Sequence, residues 1–187
     1  PITAYLRELT KKGVTFDYHN TMPFTIDGKL RSGVFELEGD VSSQYVTGLL
    51  FALPLLDGDS EIRMLSKLES KPYVDLTIAC LRHFGIAVQE TEQGYAVAGG
   101  QQYHACDLTV EGDYSQAAFF CVANALGSDI TLTNLNPESV QGDKKIVEIV
   151  REMCYNREQG LPAGFTVDAA DIPDLVPILA VLATFGT

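Results

Sequence analysis

One phrase recurs three times in this chain, and internal repetition restricts architecture more tightly than any single motif. Each copy is a short extended run, an acidic residue, a small polar residue or proline, and then a long apolar helix. The copies are Gly39-Asp40-Val41-Ser42-Ser43-Gln44 before a helix expected over 45–56, Gly112-Asp113-Tyr114-Ser115-Gln116 before one expected over 117–126, and Asp171-Ile172-Pro173-Asp174 before one expected over 175–185. The polar residues fall where a helix N-terminus leaves free N–H groups, a natural place to hold an anion.

An amphipathic helix precedes each phrase. Segments 5–12 and 79–84 end at Gly13-Val14 and Gly85-Ile86, and glycine just past the last turn is the expected terminator. Strands are expected at 14–18, 24–26 and 34–37, and again at 88–91, 95–97 and 108–110. Gly13 to Gly39 spans 26 residues and Gly85 to Gly112 spans 27. Two units therefore share one plan: helix, three strands, capped helix. The class is α/β (α+β). The third unit is shorter. A helix is expected over 144–153, with Ile146, Val147, Ile149 and Val150 on its apolar side. Cys154 stands at the glycine position, and 16 residues separate it from Ala170, the counterpart of Gly39. A hairpin's worth of chain is missing there, at roughly five to six residues per strand. Either this copy is truncated or a loop has been dropped, and the stretch 154–163, which lacks alternation, favours the second reading.

With 187 residues the chain is long enough for one or two domains with real cores. Its 46% apolar content is that of a soluble globular protein, and no apolar run reaches the roughly 20 residues that span a bilayer. There is no basic-then-apolar leader. The chain opens on Pro1 rather than Met, so its start is read as internal. A net charge of −12 argues against a nucleic-acid surface; Lys11-Lys12 and Lys144-Lys145 read as solvated helix faces. Any anion site here has to be built from local dipoles and a few placed cations. Cys80, Cys106, Cys121 and Cys154 show no C-x-x-C spacing, and His19, His83 and His104 are scattered. That pattern argues against a metal site or a thiol nucleophile. Cys80 and Cys121 fall in apolar helical runs and are expected in the core, and a reduced cytoplasmic setting fits.

Chemistry concentrates at the helix starts. Asp40 or Ser42 can cap the first of them, but Ser42, Ser43 and Gln44 come consecutively after a glycine that lets backbone approach closely. Two hydroxyls plus exposed N–H groups make a phosphate cradle. Ser70-Lys71-Pro72-Tyr73 marks another helix start, with Pro72 in the first turn. Read plainly, Ser70 is its cap; read functionally, Ser70, Lys71 and Tyr73 offer a hydroxyl, a cation and a phenol at one helix mouth. At Asp171-Ile172-Pro173-Asp174 the plain reading is a cap, Asp171, with Asp174 as the acidic residue favoured by the helix dipole. The functional reading makes Asp174 a general base. Val140-Gln141-Gly142-Asp143 reads as a turn and cap.

Five motifs in order carry a resemblance: Gly39–Thr47 with Ser42-Ser43-Gln44, Ser70–Thr77 with Ser70-Lys71-Pro72-Tyr73, Glu111–Ala117, Ser139-Val140-Gln141-Gly142-Asp143, and Asp171-Ile172-Pro173-Asp174. Together they resemble the 5-enolpyruvylshikimate-3-phosphate synthases, the 3-phosphoshikimate 1-carboxyvinyltransferases of the enolpyruvyl transferase family, over nearly the whole chain. The resemblance implies two similar domains, each of three βαβαββ units in an inside-out α/β barrel. Residues 1–110 then belong to the shikimate-phosphate-binding domain, as about two units, and 111–187 to the second domain, both incomplete. It implies transfer of the enolpyruvyl group of phosphoenolpyruvate to the 5-hydroxyl of shikimate 3-phosphate, in chorismate and aromatic amino-acid biosynthesis. No metal or organic cofactor, nucleic acid or membrane is implied, and the parent enzyme is expected to be a cytoplasmic monomer. By the same resemblance Ser42, Ser43 and Ser70 bind the 3-phosphate, Gln44 lies over the ring near phosphoenolpyruvate, and Tyr73 borders the shikimate site. Asp174 binds the substrate hydroxyls and is the base at the 5-hydroxyl, while Asp113 stands at the crossover between domains.

The departures carry an expectation too. The family's early Lys, Ser and Arg, its Asn-Gly-Thr and Arg-Pro segments, and its later Lys-Glu-x-x-Arg and C-terminal basic positions have no counterpart. Those parts hold nearly all the cations for two anionic substrates, so the chain reads as an internal fragment, inactive by itself. Two other readings stand beside this one. The first is the sister enolpyruvyl transferase for UDP-N-acetylglucosamine, which lacks the pairing of these two serine motifs. The second is a non-catalytic repeat module in which every motif is only a cap.

Overall fold

The computed structural model describes residues 2–159 and 166–185. The chain divides into two compact units, 1–106 and 107–187. In chain order the elements of the first are α1 (Thr3–Lys11), β1 (Val14–Asp17), β2 (Thr25–Gly28), β3 (Val34–Leu37), α2 (Ser43–Ala52), β4 (Ser60–Met64), α3 (Lys71–His83), β5 (Gln89–Thr91) and β6 (Gly94–Val97). The second holds α4 (Tyr114–Ala125), α5 (Ile146–Glu158) and α6 (Val176–Ala183), the last two each entered through a 3₁₀ turn.

From β3 onward the first unit is one complete βαβαββ module. Its sheet runs in the order β3-β4-β6-β5, with β3 parallel to β4 and the other neighbours antiparallel. A parallel pair needs a crossover, and α2 supplies it. Alternate residues face inward: Phe35 and Leu37, Ile62, Tyr95 and Val97 are all buried. Onto them α2 lays Val46, Leu49 and Leu50 from one helical face, the 3₁₀ turn that follows it adds Leu53, and α3 adds Val74 and Leu81. Each fully buried aliphatic or aromatic side chain contributes about 1.5–3 kcal/mol, so this shared core fixes both helices on the sheet. Gly13 and Gly85 stop α1 and α3 at φ +93° and +82°; at the second, Ile86 N donates to Leu81 O at 3.0 Å, closing the C-terminal turn.

An edge strand offers unpaired backbone groups, and α1 covers those of β3. The buried Glu8 carboxylate accepts from Glu36 N at 3.1 Å, and Arg7 donates to Glu36 O at 2.7 Å. Burial raises the pKa of Glu8, but Lys11 at 2.8 Å, the Glu36 amide and Arg7 at 2.9 Å outweigh it and hold the carboxyl below its ordinary value.

Three expectations are corrected. Strand β4 was not foreseen, because Glu61 and Arg63 face out and pair at 3.0 Å, leaving Ile62 as its one buried aliphatic residue. The unit boundary therefore shifts: β3-α2-β4-α3-β5-β6 is the repeat, rather than helix, three strands and helix. Residues 108–110 form no strand; Val110 O accepts from Asn134 Nδ2 at 3.0 Å, and Gly112 N donates to Asn134 O at 2.6 Å. Helix α5 runs through Cys154 to Glu158, so the expected stop at Cys154 is absent. Residues 160–163, where a dropped loop was expected, lie outside the described residues.

The second unit's core joins Tyr114, Ala118 and Val122 of α4 to Ile146 and Ile149 of α5 and to Ile172, Leu175, Ile178 and Leu182 around α6. Of the four apolar residues expected on α5, Val147 is exposed and Val150 packs partly buried. Cys121 packs against this core, where burial pushes its thiol pKa up. Cys80 is half-buried.

Candidate functional site

Because β3 and β4 are parallel neighbours, the helices that follow them begin at the same end of the sheet. The register Leu37↔Met64 brings the two outgoing loops side by side. Leu65 N donates to Leu37 O at 2.8 Å and Glu69 N to Gly39 O at 3.0 Å. Ser66 Oγ accepts from Gly39 N at 2.8 Å and donates to Asp40 Oδ1 at 2.7 Å. A Cβ on Gly39 would stand 2.6 Å from Lys67 O and 2.8 Å from Leu68 Cα, so only glycine lets the loops close. These bonds set the two helix starts beside each other, at the carboxyl ends of the strands where ligands of open α/β sheets bind.

Ser42 is the N-cap of α2: its hydroxyl accepts from Gln44 N at 3.3 Å. Ser43 opens the helix, half-buried, and Gln44 is exposed. Ser70 precedes α3 in the left-handed region, φ +57° and ψ 30°, and its hydroxyl makes no capping bond. The plain reading of Ser70 as a cap is therefore corrected. A non-glycine residue in that region costs about 1–3 kcal/mol, and such strain clusters at binding sites. Tyr73 lies in the first turn of α3, its amide donating to Ser70 O at 3.1 Å. Ser42, Ser43, Gln44, Ser70 and Tyr73 thus share one pair of helix mouths.

Lys71 does not serve that mouth as expected. Its ammonium binds Asp75 at 2.7 Å and Glu90 at 3.4 Å. Partial burial works against its charge, but the Asp75 hydrogen bond and the nearby negative groups outweigh it and raise its pKa. The sequence analysis does not single out Lys67, exposed in the loop between β4 and α3, or Ser66, and it offers Asp40 as a cap, whereas Asp40 accepts from Ser66 and Ser42 caps the helix. Their signal was present: a hydroxyl and a carboxylate in two loops that the repeat brings together.

The second unit repeats this mouth with other chemistry. Glu111-Gly112-Asp113 matches Glu38-Gly39-Asp40, and Glu138-Ser139 matches Glu69-Ser70. Asp113 caps α4, accepting from Ser115 N at 2.9 Å and from its hydroxyl at 2.6 Å. Ser139 donates to Glu111 Oε1 and accepts from Gln141 N at 3.1 Å. Gln141 donates to Glu111 at 2.8 Å and to Gly112 O at 3.0 Å, and accepts from Tyr114 N at 2.8 Å. Burial pushes the Glu111 carboxyl up, but hydrogen bonds from Ser139, Gln141 and Asn136, with the Lys144 charge, hold it below the ordinary carboxylate range. In the first copy Glu38 turns instead to Arg7, which holds it at 2.7 and 3.1 Å.

Asp174 sits in the 3₁₀ turn ahead of α6 and is exposed. Asp171 does not cap that turn; Asp168 accepts from Ala170 N at 3.0 Å just before it. Asp174 belongs to the second unit and the serines to the first. Among the described residues no group of His, Cys, Asp and Glu is arranged to hold a metal ion.

The profile of the EPSP synthase (3-phosphoshikimate 1-carboxyvinyltransferase) family matches residues 1–187, and the chain belongs to that family. It is 42% identical to the 3-phosphoshikimate 1-carboxyvinyltransferase of Clostridium novyi (strain NT) over 97% of this chain and 44% of the relative. With the Clostridium kluyveri relative of the same name the figures are 46%, 87% and 41%. The chain thus spans less than half the length of these relatives. An EPSP synthase structure from Acinetobacter baumannii superposes with a TM-score of 0.63 at 24% identity, over 82% of this chain and 34% of that one, which establishes the shared fold.

Proposed function

We propose that this chain carries the 3-phosphate cradle and the general base of a 3-phosphoshikimate 1-carboxyvinyltransferase. Residues 1–110 are then part of its shikimate-phosphate-binding domain and 111–187 part of the second domain. The observation that carries the reading is the pair of latched helix mouths, with the Ser70 hydroxyl held in a strained conformation and spent on no cap. Phosphate there accepts from the hydroxyls of Ser42, Ser43 and Ser70 and from first-turn amides, with both helix dipoles favouring the anion. Gln44 lies over the ring, and Tyr73 borders it. In the reaction the 5-hydroxyl oxygen bonds to the enolpyruvyl carbon of phosphoenolpyruvate and phosphate leaves. Asp174 takes the hydroxyl proton. No step calls for a metal or organic cofactor.

The chain by itself is inactive on this reading. Lys71, the one cation within the serine motifs, is already neutralised by Asp75 and Glu90, so two anionic substrates lack the charge that stabilises the transition state. Isothermal titration of the chain with shikimate 3-phosphate and with UDP-N-acetylglucosamine tests the assignment. Binding of the first and not the second, without turnover when phosphoenolpyruvate is added, is the expected result. Preference for the nucleotide sugar, or turnover by the chain at its confirmed mass, contradicts it.

A further inference from the structure

Two copies of one helix mouth end in opposite states. Glu111 turns into the second and takes up the Ser139 hydroxyl and the Gln141 amide. Glu38, its counterpart, is drawn sideways by both terminal nitrogens of Arg7, and the Ser70 hydroxyl caps nothing. An arginine thus holds the carboxylate in the first copy, where the second copy's carboxylate is held by the hydroxyl and amide of its own mouth.

We propose that Arg7 is a positioning residue of the cradle, keeping the Glu38 carboxylate on α1 and out of the mouth that receives phosphate. This rests on reading Ser42, Ser43 and Ser70 as that cradle. The bidentate pair suits the task because two parallel N–H···O bonds fix direction as well as charge. Arg7 itself is anchored, since its Nε binds Glu8 and one terminal nitrogen binds Glu36 O. Glu38 holds the same sequence position as Glu111, one residue before a glycine that the facing backbone approaches closely. Freed from Arg7, it competes there for Ser70 and repels an incoming anion.

The test uses the ¹⁵N-labelled chain at neutral pH, titrated with inorganic phosphate and separately with shikimate 3-phosphate. The amides of Ser42–Gln44, Ser70 and Tyr73 report binding. Arg7→Met, which keeps the apolar stem, is expected to weaken both ligands about tenfold, and Arg7→Met/Glu38→Gln to return within about twofold of the parent chain. A merely structural role for Arg7 gives no rescue by Glu38→Gln, because the double variant lacks the same anchor. Without ligand, the Ser70 amide of Arg7→Met should follow a carboxylate titration that is absent in the double variant. Unchanged affinity in Arg7→Met, or a double variant as weak as the single, overturns the proposal. If the parent chain shows no saturable shift with either ligand, the cradle reading itself fails. The ligand-free titration then still decides, and no Glu38-dependent titration at Ser70 overturns the role of Arg7.

Discussion

The two helix mouths are built from one pattern and put their hydrogen bonds to different use. In the second unit Glu111, Ser139 and Gln141 satisfy one another and the adjoining backbone, so the mouth is closed by its own side chains. In the first, Ser66 and Asp40 latch the loops, and the Ser70 hydroxyl makes no capping bond. A buried polar network that is fully satisfied rigidifies structure. One left partly open keeps hydrogen-bonding capacity for a partner from outside. The comparison separates a self-satisfied network from the proposed phosphate cradle, two features that sequence alone would rank together.

The largest expected effect probes the shared backbone. Gly39→Ala drives a Cβ against the backbone of Lys67 and Leu68. It should destabilise the first unit by about 3 kcal/mol in denaturant titration. Gly112→Ala meets Asn134 O and the movable Leu135 side chain at 2.9 Å, and should cost about half as much. Equal costs would mean that the two mouths are not closed to different degrees.

Next comes the closed network. Glu111→Gln should cost the second unit about 1–2 kcal/mol at neutral pH, as loss of hydrogen bonds to a charged group does. The Glu111 pKa is depressed in the folded state. Its contribution is therefore complete above the ordinary carboxylate value and is lost as pH falls through the folded value. Melting curves of parent chain and variant should converge in acid; a constant gap down to low pH would remove the charge from the account. Ser42→Ala is a smaller case: loss of the α2 cap should cost about 1 kcal/mol, together with phosphate affinity. A stability loss with affinity unchanged would reduce Ser42 to a cap.

Much of this was readable from the chain. The three phrases located α2, α4 and α6, and the glycine stops located the ends of α1 and α3. The residues that carry the resemblance also located both serine motifs. What was hidden depended on direction and on contacts between distant segments. Ser70 before Lys71-Pro72 looks like any N-cap; only the structure shows that its backbone is left-handed and its hydroxyl makes no capping bond. Lys71 looks like a site cation until Glu90, a strand away, is seen to share it with Asp75. Strand β4 carries its charges outward and hides its one aliphatic anchor, Ile62, from any periodicity. Residues 108–110 have strand-like composition but pair through the Asn134 side chain and a single Gly112 amide.

The measurement that bears most directly on the difference between the mouths is a matched pair, Ser70→Ala and Ser139→Ala. Each is followed by thermal unfolding and by titration with shikimate 3-phosphate. The account predicts that Ser139→Ala lowers stability by about 1–2 kcal/mol and leaves affinity unchanged. It predicts that Ser70→Ala leaves stability within about 0.5 kcal/mol and weakens binding at least about tenfold. Equal stability losses in the two variants, with binding untouched by Ser70→Ala, would contradict it.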